Sequence, residues 1–359
     1  MTLIALMVVP FVVSLLVCWL MIRYGPKDGP DGDRKTQAAP VPSSGGMGIL
    51  AGLVAGVAAT ALTGSPAVAQ LTLPPVAGVA AFTAFAALIG WADDAYGFPA
   101  MTKLIALLAG AAVAVVIGPQ PLSVWIGGAM QVPPIIGLTS AAALIFVMAN
   151  AVNFLDGANG IAMGTSMIIL LMIGLLLAPN VAYSPGDQAP AMLMALVFAA
   201  AAAIGGFLFW NLPGRLFAGD AGALAIGGLI GGAIAMFAMD GPVLVPLTLC
   251  LPILVDVFLT LAWRAKHGRP LMQAHRDHAY QLLLRDGWEH GQVARLWWGL
   301  TVVSAGAVVA GPFAAAAGAY GMSPPPLDVI VFVAVLGIGC SLWVRQRVTL
   351  GRKLIADGR

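Results

Sequence analysis

Four aspartates in this 359-residue chain stand in company that could do chemistry. Asp93 and Asp94 adjoin in GWADDAYGF (90–98). Asp156 follows two amides in NAVNFLDGANG (150–160), where Asn150, Asn153 and Asp156 recur at i, i+3 and i+6 and share a face if the helix continues. Asp220 lies in FAGDAGALAIGG (217–228). Two further segments bring cations: GPKDGPDGDRKTQAAPVPSSGGMGI (25–49) with Lys35, and AHRDHAYQLLLRDGWEH (274–290) with His275, Arg276 and His278.

Taken singly, each cluster has a plainer reading. Asp93 and Asp94 read as solvated loop charges, Asn150 to Asp156 as a polar cap on a helix end, and Asp220 as an N-cap. Taken together they offer carboxylate and amide oxygens from separate segments, which is what a hard divalent cation needs. Mg²⁺ prefers oxygen ligands, usually one or two carboxylates completed by water and substrate phosphates. Glycines beside them let backbone approach a phosphate closely. Lys35, Arg276, His275 and His278 supply partners for further phosphate oxygens. The two histidines have no cysteine nearby, so zinc lacks ligands and phosphate or substrate contact is expected of them. His267 and His290 read as surface residues. The chemistry implied is Mg²⁺-assisted phosphoryl transfer at a membrane surface.

The membrane follows from what must position these residues. Hydrophobic residues make up 60% of the chain and charged ones 9%, against roughly a quarter charged in soluble proteins. Several apolar runs exceed the ~18 residues that mark a spanning helix. The expected fold is all-α, a polytopic membrane helix bundle of about eleven spans. They lie near 3–22, 47–64, 74–91, 101–118, 133–149, 161–178, 189–210, 222–239, 243–263, 293–313 and 326–344. Gly- and Ala-rich spans allow close packing in lipid, with GGLIGG (227–232) as one such face. No repeat or soluble domain interrupts them. Residues 1–345 read as one catalytic domain with active-site loops at 23–46, 91–102, 150–160, 211–221 and 264–292, followed by a basic tail at 346–359. The first run has no cationic start and no small-residue cleavage site before Arg23, so it reads as a retained span. Cys18, Cys250 and Cys340 lie in apolar runs without metal spacing, as small core hydrophobes.

Eleven spans place all seventeen Lys and Arg on one side, while the opposite loops carry only Asp187, Asp240 and Asp328. The positive-inside rule makes that side cytoplasmic, with the N-terminus outside and the C-terminus inside. All the polar clusters then share the cytoplasmic face. Asp256 is the exception, inside the 243–263 span and roughly 12 Å from Arg264 at about 1.5 Å per residue. It reads either as a functional intramembrane carboxylate or as a buried structural group.

In their order and spacing these motifs resemble the polyprenyl-phosphate N-acetylhexosamine-1-phosphate transferases. The resemblance runs from DRKTQAAPVPSSGGMGI through HRDHAYQ, with Asp93-Asp94, NxxNxxDGxxGxA at 150–162 and GDxGxxxxG at 219–227. It implies transfer of a sugar 1-phosphate from a UDP-N-acetylhexosamine to undecaprenyl phosphate, with release of UMP and Mg²⁺ as cofactor. It places Asp94, Asn153 and Asp220 at metal-binding positions and Asp93, Asp94 and Asp156 at catalytic ones, with Lys35, Asn150, His275, Arg276 and His278 toward substrate. The HRDHAYQ segment resembles the branch that initiates O-antigen and related surface glycans. The peptidoglycan branch carries adjacent histidines there. Ser43-Ser44 stands where an arginine is common, and Ala223 where serine is usual.

The implied setting is the bacterial inner membrane, with lipid as a further partner, no nucleic acid, and homodimerisation left open. The expected reaction is a single displacement in which Asp93 accepts a proton from the lipid phosphate or orients it. A phosphoryl-enzyme on Asp156 is the alternative route. The competing class is an ion-coupled transporter using Asp256. The one-sided polar residues and the absence of a repeat count against it. A catalytically silent relative acting as a scaffold is a third class, and the intact acidic set counts against it.

Overall fold

The computed structural model describes residues 2–28, 40–62, 74–121, 123–125, 129–183, 189–273, 275–316 and 327–356. Lys35 lies outside them. The first half comprises α1 (Thr2–Tyr24), α2 (Gly45–Leu62), α3 (Pro74–Tyr96), α4 (Ala100–Ile117), α5 (Pro134–Leu155) and α6 (Ile161–Tyr183). The second comprises α7 (Ala189–Asn211), α8 (Gly219–Asp240), α9 (Leu244–Leu249), α10 (Leu251–Lys266), α11 (Ala279–Arg285), α12 (His290–Ala316) and α13 (Leu327–Ala356). Two short antiparallel ribbons join them: β1 (Lys27–Asp28) with β2 (Val41–Pro42), and β3 (Ser123–Trp125) with β4 (Ala129–Gln131).

Among the described residues, nine helices are long and apolar enough to cross a membrane, and α2 adds a shorter apolar stretch, Gly45–Thr60. The run 243–263 is two helices, α9 and α10, joined at Cys250. The cause is local: Pro252 has no N–H for the Thr248 carbonyl, and its fixed φ suits a first turn. The basic stretch after residue 345 continues α13 to Ala356, so the expected tail boundary falls inside a helix.

The bundle is built around α8, which is nearly all buried and packs on α2, α3, α5, α6 and α7. GGLIGG is the face that makes this possible. A Cβ on Gly227 would lie 2.4 Å from the Met148 carbonyl oxygen, and one on Gly231 would lie 2.6 Å from that of Leu144. The backbones of α5 and α8 therefore touch, and dispersion replaces the hydrophobic drive that lipid cannot supply. Cys18 and Cys250 are buried in the main apolar core, as expected. This packing brings the end of α3, the start of α4, the end of α5 and the start of α8 to one end of the bundle.

Candidate active site

Asp93 and Asp94 occupy the last turn of α3. Gly97, at φ +66°, turns the chain into α4, and the Phe98 amide donates to Asp93 Oδ1 at 2.7 Å. That reversal returns Lys103, in the first turns of α4, to the aspartates. Its ammonium lies 2.6 Å from Asp93 Oδ2 and 2.5 Å from Asp220 Oδ2, and so bridges two helix ends. Asp94 does something else. It accepts from the backbone N–H groups of Asp220 (3.2 Å) and Ala221 (3.5 Å), capping α8 from a neighbouring helix. A carboxylate there meets orphan donors and the positive end of the helix dipole. Gly219, at φ +70°, permits the approach: its Cβ would sit 2.2 Å from the Ser43 carbonyl and 2.6 Å from Asp94 Oδ2.

Asp156 is the C-cap of α5, so Asn153 and Asp156 stand at the same helix end. The turn after it is held from three sides. Asn159 donates its amide to His290 Nδ1 (3.1 Å), Gly160 donates to Asn211 Oδ1 (2.7 Å), and the Trp298 indole donates to the Gly160 carbonyl (2.9 Å). Burial strips water from the Asp156 carboxyl, and the nearby Asp220 and Asp94 repel its charge. Together these push its pKa up to about 7.

The HRDHAYQ segment is fastened to the bundle by Asp256. Its Oδ1 accepts from the Ala279 amide (2.7 Å), Thr260 Oγ1 (3.2 Å) and Trp343 Nε1 (3.3 Å), and His278 Nδ1 is 3.7 Å away. The intramembrane carboxylate is buried and ties this segment to α10 and α13. Asp277 pairs with Arg264 and Arg269, and Tyr280 Oη donates to the Phe154 carbonyl at 3.2 Å, beside the Asp156 turn. His275 and His278 stack at 5.0 Å.

These groups line one cavity of about 930 Å³, the size of a small-molecule site. Asp93, Asp94, Asn153, Asp156, Asp220, His275 and His278 all face it. Asn150 does not: it is buried one turn back, donating to the Phe146 carbonyl. Arg276 is exposed and outside the lining. Lys103, Asn211 and His290 line it without having been singled out, and the surface reading of His290 is corrected by its half-buried place against Asn159. A Lys just past a tight turn from two aspartates was a usable signal for Lys103. Asn211 and His290 carried none.

Mg²⁺ can be tested against this donor set. Among the described residues no three His, Cys, Asp or Glu side chains close on one point as a metal cage. A cation that takes one or two carboxylates and completes its shell with water and phosphate fits. Four aspartates line the cavity, and Lys103 pairs with two of them, Asp93 and Asp220. Of the residues expected at metal positions, Asn153 and Asp220 line the cavity, while both oxygens of Asp94 are taken up by the α8 amides.

Comparison with known proteins bears directly on this arrangement. Residues 76–238 match Glycosyl transferase family 4. That segment holds all four aspartates, Asn153 and Lys103. The chain is 28% identical to the decaprenyl-phosphate N-acetylglucosaminephosphotransferase of Mycolicibacterium smegmatis, over 81% of this chain and 77% of that one. It is 28% identical to a Bacillus subtilis protein named "Probable undecaprenyl-phosphate N-acetylglucosaminyl 1-phosphate transferase", over 79% and 78%. A phospho-N-acetylmuramoyl-pentapeptide-transferase of Symbiobacterium thermophilum is 30% identical, over 59% of this chain and 66% of that one. The resemblance to polyprenyl-phosphate hexosamine-1-phosphate transferases is thus supported at the level of the family, and the relatives do not choose between its branches.

Proposed function

We propose that this chain transfers an N-acetylhexosamine 1-phosphate from a UDP-sugar to undecaprenyl phosphate at the cytoplasmic face of the inner membrane, releasing UMP. The observation that carries the proposal is the convergence of Asp93, Asp94, Asp156 and Asp220 with Lys103 on the cavity that also holds His275 and His278. Donor and acceptor are both anionic. Mg²⁺ held by Asp156, Asp220 and Asn153 would supply the positive charge that lets them approach and stabilises the transferring phosphoryl group. Both oxygens of Asp93 are engaged, by Lys103 and the Phe98 amide, so its role is to orient the lipid phosphate with Lys103 rather than to take its proton. A lipid phosphate oxygen attacks the sugar-bearing phosphorus in line, forming a new P–O bond. The P–O bond to the UMP moiety breaks, and UMP leaves with the electron pair. His275 and His278 contact the donor. The HRxHxYQ spacing supports a role in O-antigen or related surface glycan synthesis.

UMP release is the test, with a panel of UDP-N-acetylhexosamines incubated with and without undecaprenyl phosphate and Mg²⁺. Release that needs both, and is lost in Asp220→Asn, is the expected result. Release without lipid would point to hydrolysis or to a covalent route through Asp156.

A further inference from the structure

The last helix, α13, lies at the edge of the bundle: only 6% of its apolar window is buried, against 89% for α8. Its hydrogen bonds to the rest of the fold are concentrated near one end. Trp343, Gln346 and Arg347 lie at i, i+3 and i+4, and therefore on one face. Trp343 Nε1 donates to Asp256 Oδ1 at 3.3 Å. Gln346 Nε2 donates to the Ala279 carbonyl at 2.8 Å. The Arg347 guanidinium donates to the Asp277 carbonyl and stacks 3.8 Å from the centre of the Trp263 ring on α10. The two carbonyls so held flank His278. The amide after it goes to Asp256, which Trp343 also holds.

We propose that this end of α13 is a strap that positions His275 and His278 in the cavity, with Arg347 as its positioning residue. Arg347 does not line the cavity, and it reaches across 70 residues of chain to grip the backbone beside a histidine that does. The strap suits a guanidinium, which can donate to a carbonyl from its edge while its flat face rests on Trp263; an ammonium can do only the first. His278 is 3% exposed and stacked between His275 and Tyr280, so a small slide of the segment would turn its ring out of the site. The role assigned to the histidines rests on the proposed reaction; the strap itself does not.

The test has two readouts. Carbethoxylation of His278, followed by peptide mass mapping, reads the position of the ring. Steady-state UMP release reads KM for the UDP-sugar and kcat. In Arg347→Ala, His278 is expected to be modified roughly tenfold faster. KM is expected to rise roughly tenfold and kcat to change less than about threefold, the pattern of lost donor binding. Arg347→Lys should recover part of both, and Arg345→Ala, two residues along on the exposed side, should match the parent. If Arg347→Ala does not fold, Gln346→Ala decides, with a smaller shift in the same direction. Unchanged protection of His278 in a folded variant, or a loss confined to kcat, overturns the strap. A parent protein without transferase activity removes the proposed function but leaves the protection readout to judge the strap alone.

Discussion

Replacing Asp256 separates an anchor from an ion carrier. Asp256→Ala deletes the acceptor for the Ala279 amide and the Trp343 indole, both buried. An orphaned buried donor costs about 1–3 kcal/mol. Thr260 can turn its hydroxyl to a backbone carbonyl one turn back and adds little. Two donors together give a loss of about 3–5 kcal/mol, or a fall in melting temperature of roughly 6–10 °C at about 2 °C per kcal/mol. Asp256→Asn keeps Oδ1 as an acceptor and loses only its charge, so about 1 kcal/mol is expected. Thermal unfolding in detergent, followed by tryptophan fluorescence, measures both. Trypsin should also cut the Ala variant sooner at Arg276, since the segment beside it is released. UMP release should survive in the Asn variant within about tenfold. An Ala variant as stable as the parent, or an Asn variant that folds normally but is fully inactive, would refute the anchor reading.

Three further outcomes follow from the same geometry. Lys103→Met leaves Asp93 and Asp220 opposed without their shared cation, and kcat for UMP release should fall by about 10²–10³. The Asp156 carboxyl has its pKa raised above the ordinary 3.8, to about 7, so its contribution to stability is complete below about pH 4 and lost as pH rises through 7. The metal-free protein should therefore be less stable at pH 8 than at pH 5, by at most about 3 kcal/mol, since about two units of the shift fall within that interval. Asp156→Asn should flatten that slope, and a slope unchanged in the variant would assign it elsewhere. Gly157→Ala puts a Cβ 2.1 Å from Tyr280 Oη and must break its bond to Phe154. Tyr280→Phe should partly rescue it, with a double-mutant coupling of about 1–3 kcal/mol in stability.

The parts of the site that could be read from sequence are those carried by local pattern. Asp94, Asn153 and Asp220 stand at the ends of apolar runs, and hydropathy locates such ends well. Side-chain period then shows that Asn153 and Asp156 belong together. GGLIGG marks close packing because only small side chains let two backbones touch, and α8 indeed meets α5 there. Other features depend on contacts between distant segments. Nothing around Asn150 distinguishes it from Asn153, yet one turn of helix takes it out of the cavity. His290 gains its place only because the 157–160 turn folds back on α12, and Arg347 only because α13 packs beside α10. The break at Cys250 was signalled by Pro252, but an apolar run continuous across it reads as one span.

The central claim is that the phosphorus attached to the sugar moves to the lipid in the Asp93–Asp94–Asp156–Asp220 cavity. A UDP-sugar carrying ³²P in the sugar-bearing phosphate, incubated with undecaprenyl phosphate and Mg²⁺, tests it in one extraction. Label moving into the lipid phase with the parent protein, and staying in the aqueous phase with Asp220→Asn, is the predicted result. Label remaining in released UDP while the sugar alone enters the lipid would contradict it.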